Sequence, residues 1–317
     1  MCVCSPDHRF QRFSDTTNRF IAPLGPGRHR VGRSRFHRHN SWTAGCQETA
    51  HMNATDFDEN ALRIELKPPV ATITIDRPDN ENRFDPSLLQ RFGKMVEELR
   101  NSSEIHAVVI TGAGDDWFSA GLMNPAIRAA MTKDEVIAYV VDGNRIFDEL
   151  EALPQITIAA INGKIVAGAS ELALACDIRI AGDHSSLMLP EAKWGGFPGA
   201  GAPHRLPMAV GHSHALELIA TGKEIDAAEM LRIGFVNHLH PQGKVHAAAD
   251  ALARTIAANG PLATRGAKRI ARARQEPGFR AAREMSDTLR HALEWSHDVD
   301  EGIAAAKEGR PAKFTGR

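Results

Sequence analysis

Residues 158–206 read I-A-A-I-N-G-K-I-V-A-G-A-S-E-L-A-L-A-C-D-I-R-I-A-G-D-H-S-S-L-M-L-P-E-A-K-W-G-G-F-P-G-A-G-A-P-H-R-L, and the rest of the chain is organised around them. Ile156 to Ile161 is an apolar run of strand length that stops at Asn162-Gly163. Gly168 then opens a helix that is almost wholly apolar, Leu172-Ala173-Leu174-Ala175-Cys176, with Glu171 in its first turn. A carboxylate inside such a helix is costly unless it is paired, hydrogen-bonded or used. The helix ends at Cys176-Asp177. A short strand, Ile178 to Ala181, a turn at Gly182-Asp183-His184-Ser185 and a second short strand lead to Pro190-Glu191.

A helix of two turns advances about 10 Å, and a strand of similar length brings the chain back. Glu191 can therefore return to the neighbourhood of Glu171. Two carboxylates in a partly apolar cleft can take different pKa values and divide the roles of acid and base. The N–H of Gly168, at a helix start, is a free donor for developing negative charge.

The motifs A-I-N-G, G-x-x-E-L-A-L-A-C-D-I-R-I-A, Pro190-Glu191 and G-x-P-G-A-G over Gly196 to Gly201 resemble the crotonase superfamily, and within it the enoyl-CoA hydratases. The resemblance covers roughly Leu62 to Arg317. It implies an α/β fold, a spiral of ββα repeats followed by a C-terminal helical region that makes a trimer. It also implies catalysis by two glutamates at the positions of Glu171 and Glu191, acting with a two-donor oxyanion hole. In F-S-A-G-L, residues 118–122, the family places one donor on the Ala before Gly, which assigns it to the N–H of Ala120; Gly168 supplies the other.

Working outward, Leu62 to Leu66 and Val70 to Ile75 read as strands separated by Lys67-Pro68-Pro69. The loop D-R-P-D-N-E-N-R-F-D resembles the family loop beside coenzyme A. Asn82 matches it, while Arg83 replaces a small residue and is expected to offer its charge to the nucleotide. Leu88 to Leu99 is an amphipathic helix and Ala107 to Gly112 a buried strand. Met123 stands where the family has Asp. Residues 124–132 should be partly helical beside the acyl pocket, and Lys133 to Leu150 a long helix with Val136, Ile137, Val140, Val141, Ile146, Phe147 and Leu150 on one apolar side. The residues expected to bind substrate are Asn82, Arg83, Ser119, Gly121, Leu122, Met123, Trp194 and Gly199.

Beyond residue 206 the chain turns helical, with helices at Ala227 to Arg232, His246 to Ala258, Leu262 to Arg274 and Phe279 to Glu294. Asp226 caps the first of these and Gly234 ends it. The C-terminal segment resembles the family ending, except that Ala306 and Gly309 replace an aromatic and a lysine associated there with coenzyme A.

The chain has 317 residues, 43% of them hydrophobic, and a formal net charge of −1. That is ample for a large core, and no global basic field argues for nucleic acid. No apolar run of about 18 residues marks a membrane span. Cys2, Cys4, Cys46 and Cys176 form no C-x-x-C pair, so a reduced, cytoplasmic protein is expected. Residues 1–50 differ: they hold eight arginines, no lysine and only three acids, with no apolar period over Pro23 to Asn40. We read residues 1–51 as a loosely attached basic leader and Met52 as the natural start; an organelle transit peptide is the alternative. The division is then a leader, a core over 52–255 and a helical region over 256–317. His212/His214 and His238/His240 make two H-x-H pairs, but no Cys or carboxylate cluster supports a metal site. No metal and no cofactor are expected, coenzyme A being part of the substrate. The expected function is enoyl-CoA hydration by a homotrimer or dimer of trimers. The alternatives are another reaction of the superfamily, including one on a substrate without coenzyme A, and an inactive RNA-binding protein whose sole support is the basic leader.

Overall fold

A computed structural model describes residues 61–317 apart from 195, 276–296, 299–300, 302–304, 306–307 and 309. The basic leader, the expected helix over 279–294, Ala306 and Gly309 lie outside the described residues. No helix among the described residues is long and apolar enough to cross a membrane.

The chain winds as a spiral in which each turn gives a long strand to one sheet, a short strand to a second, and then a helix. β1 (Leu62–Lys67) and β2 (Val70–Ile75) form an antiparallel hairpin. α1 (Pro86–Arg100) follows, started by the Asp85 carboxylate accepting from the Leu88 N–H at 2.8 Å, with a buried stripe of Leu88, Leu89, Phe92, Val96 and Leu99. The next turn holds β3 (Ala107–Gly112), β4 (Trp117–Ser119), α2 (Pro125–Ala129) and α3 (Lys133–Glu151), the last opened by a capping box between Thr132 and Glu135. Then come β5 (Ile156–Ile161), β6 (Lys164–Val166) and α4 (Gly168–Leu174), and after them β7 (Ile178–Gly182), β8 (Ser186–Met188) and a 3-10 turn over Pro190–Trp194. The chain closes with α5 (Ala202–Val210), α6 (His212–Thr221), β9 (Glu224–Asp226), α7 (Ala227–Arg232), β10 (His238–His240), α8 (Val245–Ala257) and α9 (Pro261–Gln275).

The first sheet has the order β1-β2-β3-β5-β7-β10, parallel except for the hairpin; the second has the order β4-β6-β8-β9. Right-handed crossovers require such helices between parallel strands. The main core fills the space between the sheets and α1, α3, α4 and α5. On the outer face of the first sheet, Val245, Ala249, Ala253 and Ala257 of α8 pack on Val70, Val109, Ile158 and Ile180. Asp226 accepts from the Glu229 N–H as expected of the cap, and Gly234 follows α7 with φ +83.

α9 is fixed by a charge. Lys268, buried, donates to Asp177 Oδ2 at 2.6 Å and to the Gln155 carbonyl at 2.8 Å, while the same Asp177 oxygen accepts from the Thr157 N–H and hydroxyl. Removing one partner of a buried pair leaves the other charge uncompensated. Lys268→Met is therefore expected to cost about 3 kcal/mol in urea unfolding, and adding Asp177→Asn should recover part of that loss.

Candidate active site

Glu171 stands in the first turn of α4, a helix buried along its whole length. Its Oε1 accepts from the Ala202 N–H at 3.0 Å. Burial pushes its carboxyl up to about 7; the N–H groups of Ala202, Ala200 and Gly201 and the charge of Arg205 act the other way. Glu191 begins the 3-10 turn. Burial pushes it up to about 7 as well, opposed by its own backbone N–H and reinforced by the charge of Glu171. Glu191 Oε2 is buried and has no hydrogen-bond partner among the described residues. Both acids line one cleft of ≈ 880 Å³, as the returning β7–β8 path predicts. Two carboxyls that titrate near neutrality on one cleft can hold one proton and one negative charge at the same time, the state needed for paired acid and base work.

The walls of this cleft are apolar. Leu122, Met123, Trp194 and Gly199, four of the residues expected to bind substrate, line it. α3 supplies Val136, Ile137, Val140 and Val141, and Phe197 lies opposite with 70% of its surface exposed. The sequence reading puts Val136, Ile137, Val140, Val141, Ile146, Phe147 and Leu150 on one apolar side. In the structure Tyr139, Ile146, Phe147 and Leu150 enter the core, whereas Ile137 and Val141 are 60% and 59% exposed and face the cleft. The signal was present: apolar residues at 136, 137, 140 and 141 span a wider arc than one buried stripe needs.

The free backbone donors differ from expectation by two residues. The Ala120 N–H, assigned to the oxyanion hole, donates to the Glu81 carbonyl at 2.9 Å and is buried. The Gly121 N–H donates to Ser119 Oγ at 3.0 Å. The Leu122 N–H has no acceptor among the described residues, and neither has that of Gly168 at the start of α4. These two amides are neighbours. A methyl group on Gly168 would lie 3.2 Å from the Leu122 nitrogen, and one on Gly121 (φ +79) would lie 2.7 Å from the Gly168 nitrogen. Both glycines are required by this approach.

Three other expected substrate contacts turn inward. Asn82, with φ 51, is fully buried; its Oδ1 accepts from the Arg77 N–H, and its Nδ2 donates to the Ala113 and Trp117 carbonyls. Arg83 is buried too, donating to Glu81 Oε2 at 2.6 Å and to the Ala120 carbonyl at 2.9 Å, so it offers no open cation to a nucleotide. Ser119 serves the turn described above. Arg83 and Ser119 hold the 119–122 turn in place, and Asn82 ties down the segment that leads into it. Among the described residues no group of three or more His, Cys, Asp or Glu side chains is placed to hold a metal ion.

The sequence profile described as enoyl-CoA hydratase/isomerase matches residues 65–317. A short-chain-enoyl-CoA hydratase of Clostridium acetobutylicum is 36% identical over 209 residues, 66% of this chain and 80% of the relative. A carnitinyl-CoA dehydratase of Salmonella arizonae is 34% identical over 262 residues, 81% of this chain and 98% of the relative. The crystal structure of an enoyl-CoA hydratase from Bacillus anthracis superposes with a TM-score of 0.79 at 32% identity, covering 81% of this chain and all of that one.

The raised carboxyls have a consequence for stability. A carboxyl whose pKa is higher in the fold than in the unfolded chain favours folding at low pH, and that contribution is lost as pH rises from the ordinary carboxylate range to about 7. Ionised Glu191 should therefore cost the fold on the order of 3 kcal/mol above neutrality. Glu191→Gln is expected to raise Tm by several degrees at pH 8 and to change it little at pH 4. An equal fall at both values, read by calorimetry, would contradict this account.

Proposed function

The chain belongs to the enoyl-CoA hydratase/isomerase family, and from that premise we propose that it adds water across the 2,3 double bond of a 2-enoyl-CoA thioester with an apolar acyl group. The observation that carries this reading is that one apolar cleft holds two carboxyls raised toward neutrality and two N–H groups with no acceptor among the described residues.

The thioester carbonyl accepts hydrogen bonds from the Leu122 and Gly168 N–H groups, which draws electrons from the conjugated double bond and stabilises the enolate. One such donor typically lowers the barrier by about 3 kcal/mol. A water held between the glutamates gives a proton to Glu171 as its oxygen attacks C3, and Glu191 delivers a proton to C2. Glu171, anchored by the Ala202 N–H, suits the fixed role of directing the water. Glu191 Oε2, without a partner among the described residues, is free to exchange its proton with substrate. The acyl chain runs along Val136, Ile137, Val140 and Val141, and burying each CH₂ there favours binding by about 0.8 kcal/mol.

A second reading, a superfamily reaction on a substrate without coenzyme A, is favoured by one observation: Arg83 is turned inward and paired. Calorimetry with a 2-enoyl-CoA and the matching enoyl-pantetheine separates the two. Binding of either thioester supports the hydratase reading, whereas no binding of either at millimolar concentration favours the second.

With crotonyl-CoA and longer 2-enoyl-CoAs, loss of the enoyl absorbance should be rapid. Glu171→Gln and Glu191→Gln should each slow it by about a hundredfold or more, with the fold retained. Full activity in Glu191→Gln would rule out the two-glutamate mechanism. Ile137→Glu or Val141→Glu should weaken longer chains far more than crotonyl-CoA, read as the ratio of kcat/KM values.

A further inference from the structure

Arg205, on α5, is not among the described residues that line the cleft, yet it stands directly behind Glu171. Its side chain is 5% exposed. Nη1 donates to the Ala200 carbonyl at 3.1 Å, Nε donates to Glu151 Oε2 at 2.9 Å, and Nη2 bonds Asp148 Oδ1. Ala200 and Ala202 belong to the same three-residue turn, whose N–H groups face Glu171. Between them Gly201, with φ +127, leaves the space that the guanidinium fills; a methyl group there would collide with Arg205 Nη1. One face of the 200–202 turn thus holds a cation and the other a carboxylate.

We propose that Arg205 is a positioning residue for Glu171: its guanidinium holds the 200–202 turn so that the backbone N–H groups aim at the carboxylate, and its charge acts on that carboxylate through the turn. Asp148 and Glu151, both near the end of α3, hold the guanidinium from behind and are the reason a cation can be buried at this point. The charged group acting on Glu171 is Arg205 from α5, which favours its ionised form, and the charge of Glu171 in turn favours the protonated form of Glu191 on the 3-10 turn. A bidentate guanidinium fits the task better than an ammonium, since it bonds the turn and both acids of α3 at once.

This inference rests on the reading of Glu171 as the acid–base group, so its test uses a signal other than turnover. The carboxyl of Glu171 is followed in the full chain by pH-difference infrared spectroscopy, its band assigned by its loss in Glu171→Gln. In Arg205→Gln, which keeps a donor and removes the charge, the titration midpoint of Glu171 should rise by about one pH unit, a tenfold change in proton affinity. Arg205→Lys, which keeps the charge but not the three-way bonding, should bring the midpoint part of the way back. An unchanged midpoint in Arg205→Gln overturns the proposal, and so does a midpoint in Arg205→Lys no closer to native than in Arg205→Gln, which would assign the effect to repacking. Should Arg205→Gln not fold, Asp148→Asn with Glu151→Gln leaves the cation uncompensated, and the midpoint should fall; no movement there also overturns the proposal. Absence of hydratase activity in the native chain would sink the functional reading and leave this titration unaffected.

Discussion

Everything at the site follows from one close approach of two backbones. The turn over Ser119–Leu122 meets the start of α4 so tightly that a side chain on Gly121 would overlap main-chain atoms of α4 and its approach, and one on Gly168 would overlap the Leu122 side chain. Strands β4 and β6 run side by side into this contact as parallel neighbours in the second sheet. The approach sets two amides next to each other, and it can only be kept if nothing else captures them. Here the remaining polar groups of the turn are satisfied elsewhere: Ala120 by Glu81, Gly121 by Ser119, and the Ala120 carbonyl by Arg83. Buried amides without acceptors are rare in proteins because each one costs free energy. Their survival as a pair is what gives the cleft its polarity.

The two carboxyls add a second cost of the same kind. Each is less easily ionised in the fold than in water, and burial is the main cause for both. A protein selected for stability alone would fill these positions with apolar residues. The compensation comes from the core, where large, fully buried side chains such as Phe92, Phe118 and Phe147 fill the interior. The site is thus a local loss carried by a large apolar interior.

Much of this was legible in the chain. The apolar runs Ala107–Gly112 and Ile156–Ile161 fixed the parallel strands, and the charged residue inside the apolar helix after Gly168 pointed to Glu171. That Glu191 could come back near Glu171 followed from the length of the helix and the short strands between them, while its assigned role came from the family resemblance. What stayed hidden depended on partners distant in sequence. Which of three successive N–H groups remains free is decided by the Glu81 carbonyl, 39 residues earlier than Ala120. Whether Arg83 faces solvent is decided by the same turn. Neither leaves a local periodic trace. α3 was misread for a different reason: its two apolar stripes were taken as one, although the residues at 137 and 141 could have been separated by angle. Arg205 carried no signal of its own, because its role exists only once α3, α5 and the 200–202 turn are assembled.

α3 itself does two jobs at separate places along its length. Ile137 and Val141 line the apolar cleft, and Asp148 and Glu151 hold the Arg205 cation. At 1.5 Å per residue, Val141 and Asp148 are about 10 Å apart along the axis, two full turns, and substitutions that far apart usually act additively. The helix is therefore a divisible part in evolutionary terms. Its first half can drift to suit new acyl groups while its second half conserves the electrostatics of the acid, so one enzyme can diversify in what it accepts without relearning how it reacts.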